Sequence, residues 1–229
     1  MRPRRAFAEQ WSPEVVLKHL VPLLTDERWR KIQGVVAKRT YHVAPVLENI
    51  YDRGNTSAVM RTAEALGLHG VHIIEHGARF KAANRVTAGA DKWLDVERWT
   101  DTPACLLELK KRGYQVLVTT LGESKSIEEV DFSQPTAIVL GNEKDGVSAE
   151  ALKLADQRVH IPMHGFVQSF NISVAGALSL YRAQKECEKV QDTRLSATTR
   201  RRLEAELVWA CTTRPEAVME SREAKEPKS

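Results

Sequence analysis

Residues 161–175 read IPMHGFVQSFNISVA, and an apolar helical run, Val174 to Tyr181, continues directly from them. The stretch opens on apolar residues and a proline, bends at Gly165, and then gathers Gln168, Ser169, Asn171 and Ser173. A buried polar group left without a partner costs about 1–3 kcal/mol. Placed between two apolar elements, this cluster is satisfied either inside the protein or by a ligand. The residues before it, Arg158–Ile161, have the pattern of a strand. The stretch is therefore a strand-to-helix connection, where α/β proteins place their ligands.

Working outward, the same alternation recurs. Val43–Ile50, Val71–Ile74, Tyr114–Leu121 and Thr136–Leu140 read as strands. Thr56–Leu66, Pro103–Arg112, Ala149–Ala155 and Ser173–Lys189 read as helices, with Gly67 and Gly113 as stops. The strands are continuous apolar runs, the mark of parallel strands covered on both faces. Residues 11–39 read as helical in two apolar clusters, with Thr25 before Asp26 and Glu27 as a helix start. Arg200–Trp209 reads as one more helix, and the charged tail from Pro215 as disordered. The expected organisation is a basic helical extension over 1–40, an α/β domain over 41–191, and a terminal helix and tail over 192–229.

At 229 residues, with 42% hydrophobic and 28% charged residues, the composition is that of a soluble globular protein. No apolar run approaches the ~20 residues a membrane span needs. Cys105, Cys187 and Cys211 are odd in number and far apart, neither a disulfide framework nor a zinc pattern. Residues 1–40 hold nine Lys and Arg against four Asp and Glu, whereas 41–191 are close to neutral. A basic arm on a neutral body suits a polyanion, and a solvated helix surface is the plainer alternative. MRPRRAFAEQW is basic but lacks the apolar core of a secretory signal. A cytoplasmic location is expected, with the plastid stroma as the alternative if the N-terminus is a trimmed transit peptide.

Two further constellations follow strands. Asn55 to Thr62, NTSAVMRT, opens a helix that Asn55 can cap. Arg61, set in an otherwise apolar helix, is either an ion-pair partner or a guanidinium aimed at a phosphate. Leu140 to Ser148, LGNEKDGVS, takes a buried strand through two glycines into a helix. It lacks the spacing of a P-loop, and no GxGxxG occurs in the chain, which argues against a nucleoside triphosphate or a nicotinamide dinucleotide. His69, His72 and His76 straddle a strand, where residues three apart point to opposite faces, so a shared metal is not expected. Asp91, Lys92 and Trp93 form a surface patch or part of an RNA surface, and Trp93 and Trp99 read as packing residues.

These three elements, in this order and spacing, resemble the SpoU branch of the SPOUT RNA methyltransferases, closest to the TrmH-type tRNA guanosine 2′-O-methyltransferases. The resemblance runs from about Lys38 to Lys189. N-x-x-A-x-x-R-T-A-x-x-x-G stands at Asn55–Gly67, G-x-E-x-x-G-[VI]-S at Gly141–Ser148, and I-P-M-x-G-x-x-x-S-x-N-[VI]-S-V-A at Ile161–Ala175. It implies a mostly parallel sheet with helices on both faces, a deep trefoil knot in the C-terminal part, and a homodimer whose active site lies at the subunit interface. It implies S-adenosylmethionine as cofactor without a metal, because a sulfonium already carries an electrophilic methyl. The reaction implied is 2′-O-methylation of the D-loop guanosine at position 18 of tRNA. An rRNA substrate, or a non-catalytic RNA-binding protein on a retained knot, is the alternative.

Carried over position by position, Arg61 matches the catalytic arginine, and Asn55, Glu143, Ser169 and Asn171 match its supporting positions. Thr119, Gly141, Ile161, Met163 and Phe170 match the cofactor-contacting positions. Three departures stand out. Phe170 replaces the usual leucine, Arg182 replaces an acidic residue after Tyr181, and Tyr51-Asp-Arg-Gly54 replaces the common bacterial segment before Asn55. LEN-x-Y-D-x-G-N together with G-A-D-K-W-L-D is closer to the plant and cyanobacterial-type members.

Overall fold

The computed structural model describes residues 10–76, 92–190 and 193–223. In chain order the elements are α1 (Pro13–Leu20), α2 (Asp26–Val36), β1 (Val43–Glu48), α3 (Arg53–Ala65), β2 (Gly70–Ile74), β3 (Asp95–Trp99), α4 (Thr102–Lys111) and β4 (Gln115–Thr119). They continue as β5 (Lys125–Ser126), β6 (Thr136–Leu140), α5 (Ala149–Leu154), β7 (Gln157–His160), α6 (Ile172–Cys187), α7 (Ala197–Cys211) and α8 (Pro215–Glu223). The chain forms two compact units, residues 40–193 and residues 1–39 with 194–229.

In the central unit, seven strands form one sheet in the order β3-β2-β1-β6-β4-β7-β5, and every pairing is parallel. Side chains alternate across each strand, which explains why the apolar runs are continuous. Val43, Leu47, Leu117, Ile138 and Leu140 join α3 and α6 residues such as Val59, Met60, Leu180 and Ala183 in one core. Val46, Val116, Val118, Ala137 and Val139 join Cys105, Leu106 and Leu109 of α4 and Ala151 of α5 in another. Gly176 sits where α6 presses on the sheet: a Cβ there would lie 2.9 Å from Leu140 Cδ1 and 3.0 Å from Val59 Cγ2. The two ends of this unit meet, since Thr40 Oγ1 donates to the Thr193 carbonyl at 2.7 Å.

The terminal unit packs α1 and α2 with α7, and Trp11 meets Trp209 with ring centroids 5.7 Å apart. Ser12, Thr25 and Ser196 cap α1, α2 and α7. The tail expected to be disordered from Pro215 instead continues as α8 to Glu223. Proline begins that helix, and Pro215 and Met219, one turn apart, are both buried. Two other expectations need correction. The helix bearing Arg61 begins at Arg53, and Asp52 rather than Asn55 is its cap, accepting from the Gly54 amide at 2.7 Å. The strand β3 was not anticipated.

The three histidines have separate partners. His69 meets the Tyr41 ring edge-on, His72 accepts from Trp99 Nε1 at 3.2 Å, and His76 bonds Asn49 and Thr102. Trp99 is thus a packing residue on β3, Trp93 is half-buried, and Asp91 lies outside the described residues, as do residues 1–9 of the basic arm. Arg182 pairs with Glu128 at 2.7 Å and with Glu186 one turn on. No helix among the described residues is long and apolar enough to cross a membrane.

Candidate active site

The carboxyl ends of β4, β6 and β7 open into a cleft of about 650 Å³. Gly141 follows β6 immediately, and its loop closes on itself: the Asn142 amide donates to the Gly146 carbonyl at 2.8 Å and the Gly146 amide returns to Asn142 at 2.9 Å. Only glycine fits at the first position, because a Cβ on Gly141 would lie 2.3 Å from the Gly146 carbonyl carbon and the Val147 nitrogen. Gly146 supplies the positive φ, 70°, that turns the chain back. Asn142 stiffens the turn, its Oδ1 accepting from the amides of Lys144 and Asp145 at 2.8 and 3.2 Å. The loop lines the cleft along Gly141–Val147.

Glu143 faces the segment after β1. Its Oε1 accepts from Asn55 Nδ2 at 2.8 Å and from the Asp52 amide at 3.2 Å, and its Oε2 from the Tyr51 amide at 2.8 Å. Burial alone would raise the Glu143 carboxyl. The bonds from Asn55 and from the Tyr51, Glu143 and Asp52 amides outweigh burial and hold it below the usual carboxylate range. Asn55, buried in the first turn of α3, is therefore committed to Glu143.

Thr119 ends β4 and donates to the Val139 carbonyl at 2.9 Å, locking its side chain at the cleft floor. Ile161 and Met163, just past β7, and Phe170, 37% exposed, supply apolar walls together with Leu121, Val147, Leu152 and Ile172. Ser169 and Asn171 line the same cleft. The polar cluster expected between buried elements is in fact exposed over residues 164–171, so no buried unpaired group arises there. Asn171 caps α6, accepting at Oδ1 from the Ser173 amide and hydroxyl at 2.8 and 2.6 Å.

The structure therefore brings Thr119, Gly141, Glu143, Ile161, Met163, Ser169, Phe170 and Asn171 onto one cleft, with Asn55 bound behind Glu143. Arg61 stands apart. It is exposed on α3, off the cleft lining, with no hydrogen bond or ion pair among the described residues. Sequence reading missed Asn142, whose side chain also donates to the Asn49 carbonyl at 2.6 Å, and Glu48, which holds Ser148. The available signal was Glu48 itself: a carboxylate closing a buried strand has to be paired. A mostly apolar concavity lined by a glycine loop, at the carboxyl edge of a parallel sheet, fits a nucleoside-bearing cofactor such as S-adenosylmethionine.

Comparison with known proteins agrees. The SpoU rRNA Methylase family matches residues 42–181. The tRNA (guanosine(18)-2′-O)-methyltransferase of Escherichia coli K12 is 39% identical over 164 residues, 71% of this chain and 72% of that protein. The A. aeolicus TrmH/SpoU tRNA modifying enzyme superposes with a TM-score of 0.74 at 32% identity, covering 82% of this chain and 98% of that one. The AdoMet-bound rRNA methyltransferase from Sinorhizobium meliloti superposes with a TM-score of 0.57 at 25% identity, over 67% of this chain and 59% of that one. With more than half of its length matched, the chain belongs to the SpoU methylase family.

Proposed function

We propose that this protein is an S-adenosylmethionine-dependent RNA ribose 2′-O-methyltransferase that acts on guanosine 18 in the D-loop of tRNA. The observation that carries this reading is the single cleft on which Thr119, Gly141, Ile161, Met163, Phe170, Glu143, Ser169 and Asn171 converge. Likeness to the E. coli tRNA (guanosine(18)-2′-O)-methyltransferase supplies the substrate.

Bound in the cleft, S-adenosylmethionine supplies an electrophilic methyl group. The protein's tasks are alignment and proton removal. Backbone of the Gly141 loop and the apolar walls at Ile161, Met163 and Phe170 hold the cofactor. Glu143, kept ionised by its N–H donors, fixes the segment from Tyr51 to Asn55 on the substrate side. Ser169 and Asn171 face the ribose. A guanidinium offers hydrogen-bond donors and no acceptor, so Arg61 serves best by holding the substrate phosphate and polarising the 2′-hydroxyl.

Arg61 lies off the cleft of its own chain, which supports a homodimer whose site is completed across the interface. Val174, Leu178 and Tyr181 form an exposed apolar stripe on α6 at helical spacing, and Phe166 and Val167 are exposed just before it, as an unpartnered interface would be. A trefoil knot in the C-terminal part of the domain is part of this reading, supported by the resemblance of the three motifs to the SpoU branch. The segments over 1–40 and 192–229 grip RNA phosphates: Arg28, Arg30 and Lys31 on α2 and Arg200 and Arg201 on α7 are exposed cations.

The test is methylation of unmodified tRNA transcripts with mapping of the modified ribose. Methylation at guanosine 18 is the expected result, and modification confined to ribosomal RNA would replace the tRNA assignment. Arg61→Lys separates the roles of the arginine: near-normal transfer at neutral pH would eliminate any role that requires the guanidinium fork.

A further inference from the structure

Glu48 closes β1 and is 1% exposed, yet it is not part of the cleft lining. Three donors converge on its carboxylate. Oε1 accepts from Thr102 Oγ1 at 2.5 Å and from Ser148 Oγ at 2.6 Å, and Oε2 accepts from the Ser148 amide at 2.9 Å. Ser148 is the last residue of the Gly141 loop and the cap of α5, where its Oγ also accepts from the Ala151 amide at 3.1 Å. The Thr102 hydroxyl is committed to Glu48, so His76 Nε2 donates to Thr102 Oγ1 at 3.2 Å, and His76 Nδ1 accepts from Asn49 Nδ2 at 2.9 Å. The Asn49 carbonyl in turn takes Asn142 Nδ2 at 2.6 Å. Entry and exit of the loop are thereby fastened to two consecutive residues at one strand end.

We propose that Glu48 is a positioning residue for methyl transfer, holding the exit of the Gly141–Ser148 loop so that the backbone facing the cofactor is set before binding. This role rests on the cleft being the S-adenosylmethionine site. A carboxylate is required because all three partners donate. A glutamine would turn an N–H₂ group toward a donor, and the loop would have to be ordered at the expense of binding.

The full chain carrying Glu48→Gln, Glu48→Asp or Ser148→Ala is titrated separately with S-adenosylmethionine and with an unmodified tRNA transcript, after far-UV circular dichroism confirms folding. Glu48→Gln is expected to weaken cofactor binding about tenfold, about 1.4 kcal/mol, and to leave tRNA binding within about twofold. Ser148→Ala weakens the cofactor in the same direction, and the double variant is no worse than Glu48→Gln, because both act through one contact. Glu48→Asp recovers part of the loss. A folded Glu48→Gln that binds the cofactor like wild type, or that loses both ligands equally, overturns the proposal. If Glu48→Gln does not fold, Ser148→Ala decides by the same split. A wild-type chain that fails to bind S-adenosylmethionine overturns the reading of the cleft itself, and this role with it.

Discussion

Gly141 and His72 show how single residues set limits. A methyl on Gly141 would meet backbone at 2.3 Å, and backbone does not yield as a side-chain tip does. Gly141→Ala is therefore expected to open the loop and abolish measurable cofactor binding by calorimetry, with the chain still folded. His72 is buried on β2, and burial, helped by Arg112 against the Glu97 and Asp95 carboxylates, pushes its imidazole below the usual range. The unfolded chain then binds a proton more readily than the folded one near the ordinary histidine value of about 6.5. Stability contributed by neutral His72 is fully present above about pH 6.5 and is lost progressively as pH falls from there through the depressed folded value. The melting temperature should drop from pH 7.5 to 5.5, and His72→Gln should flatten that part of the profile. Glu143 acts at lower pH. Its depressed carboxyl favours the folded state above the ordinary carboxylate value, and this is lost as pH falls through the folded value, so the cleft should loosen only in stronger acid.

At the scale of elements, the sequence announced most of what packs and little of what only pairs. Apolar runs such as Thr136–Leu140 were legible because both faces of a central parallel strand are covered. Asp95–Trp99 was not, since a half-buried edge strand carrying Asp, Glu and Arg has no apolar run to betray it. Asn55 was legible as a polar residue at a helix start but not as a ligand of Glu143, 88 residues away. The glycine loop was readable as a loop at a strand end. Its fastening to Glu48 and Asn49 was not, because no local pattern encodes a contact across 100 residues. Gly176 carries a prediction at this scale. Gly176→Val must displace Leu140 and Val59 between α6 and the sheet, and should cost about 1–3 kcal/mol of stability, read from the denaturation midpoint.

For the whole molecule, the exposed stripe of Val174, Leu178 and Tyr181 makes association the variable to measure. Leu178→Asp places a charge in the middle of that stripe and, for the homodimer proposed above, should shift sedimentation from dimer toward monomer. Methyl transfer should fall with it, while cofactor affinity, set within one chain, is retained. The charge distribution gives a second test. Binding of tRNA should weaken steeply between 50 and 200 mM salt, and a flat response would eliminate the terminal segments as an electrostatic clamp. A last consequence follows from the bond between Thr40 and Thr193. A body whose first and last residues are clasped together can be spliced into a surface loop of an unrelated host without stretching either junction. It can also be given new termini elsewhere on its surface by joining the old ones. In this chain, the sequence thus enters and leaves 40–193 at adjacent points, as a handle joins a tool.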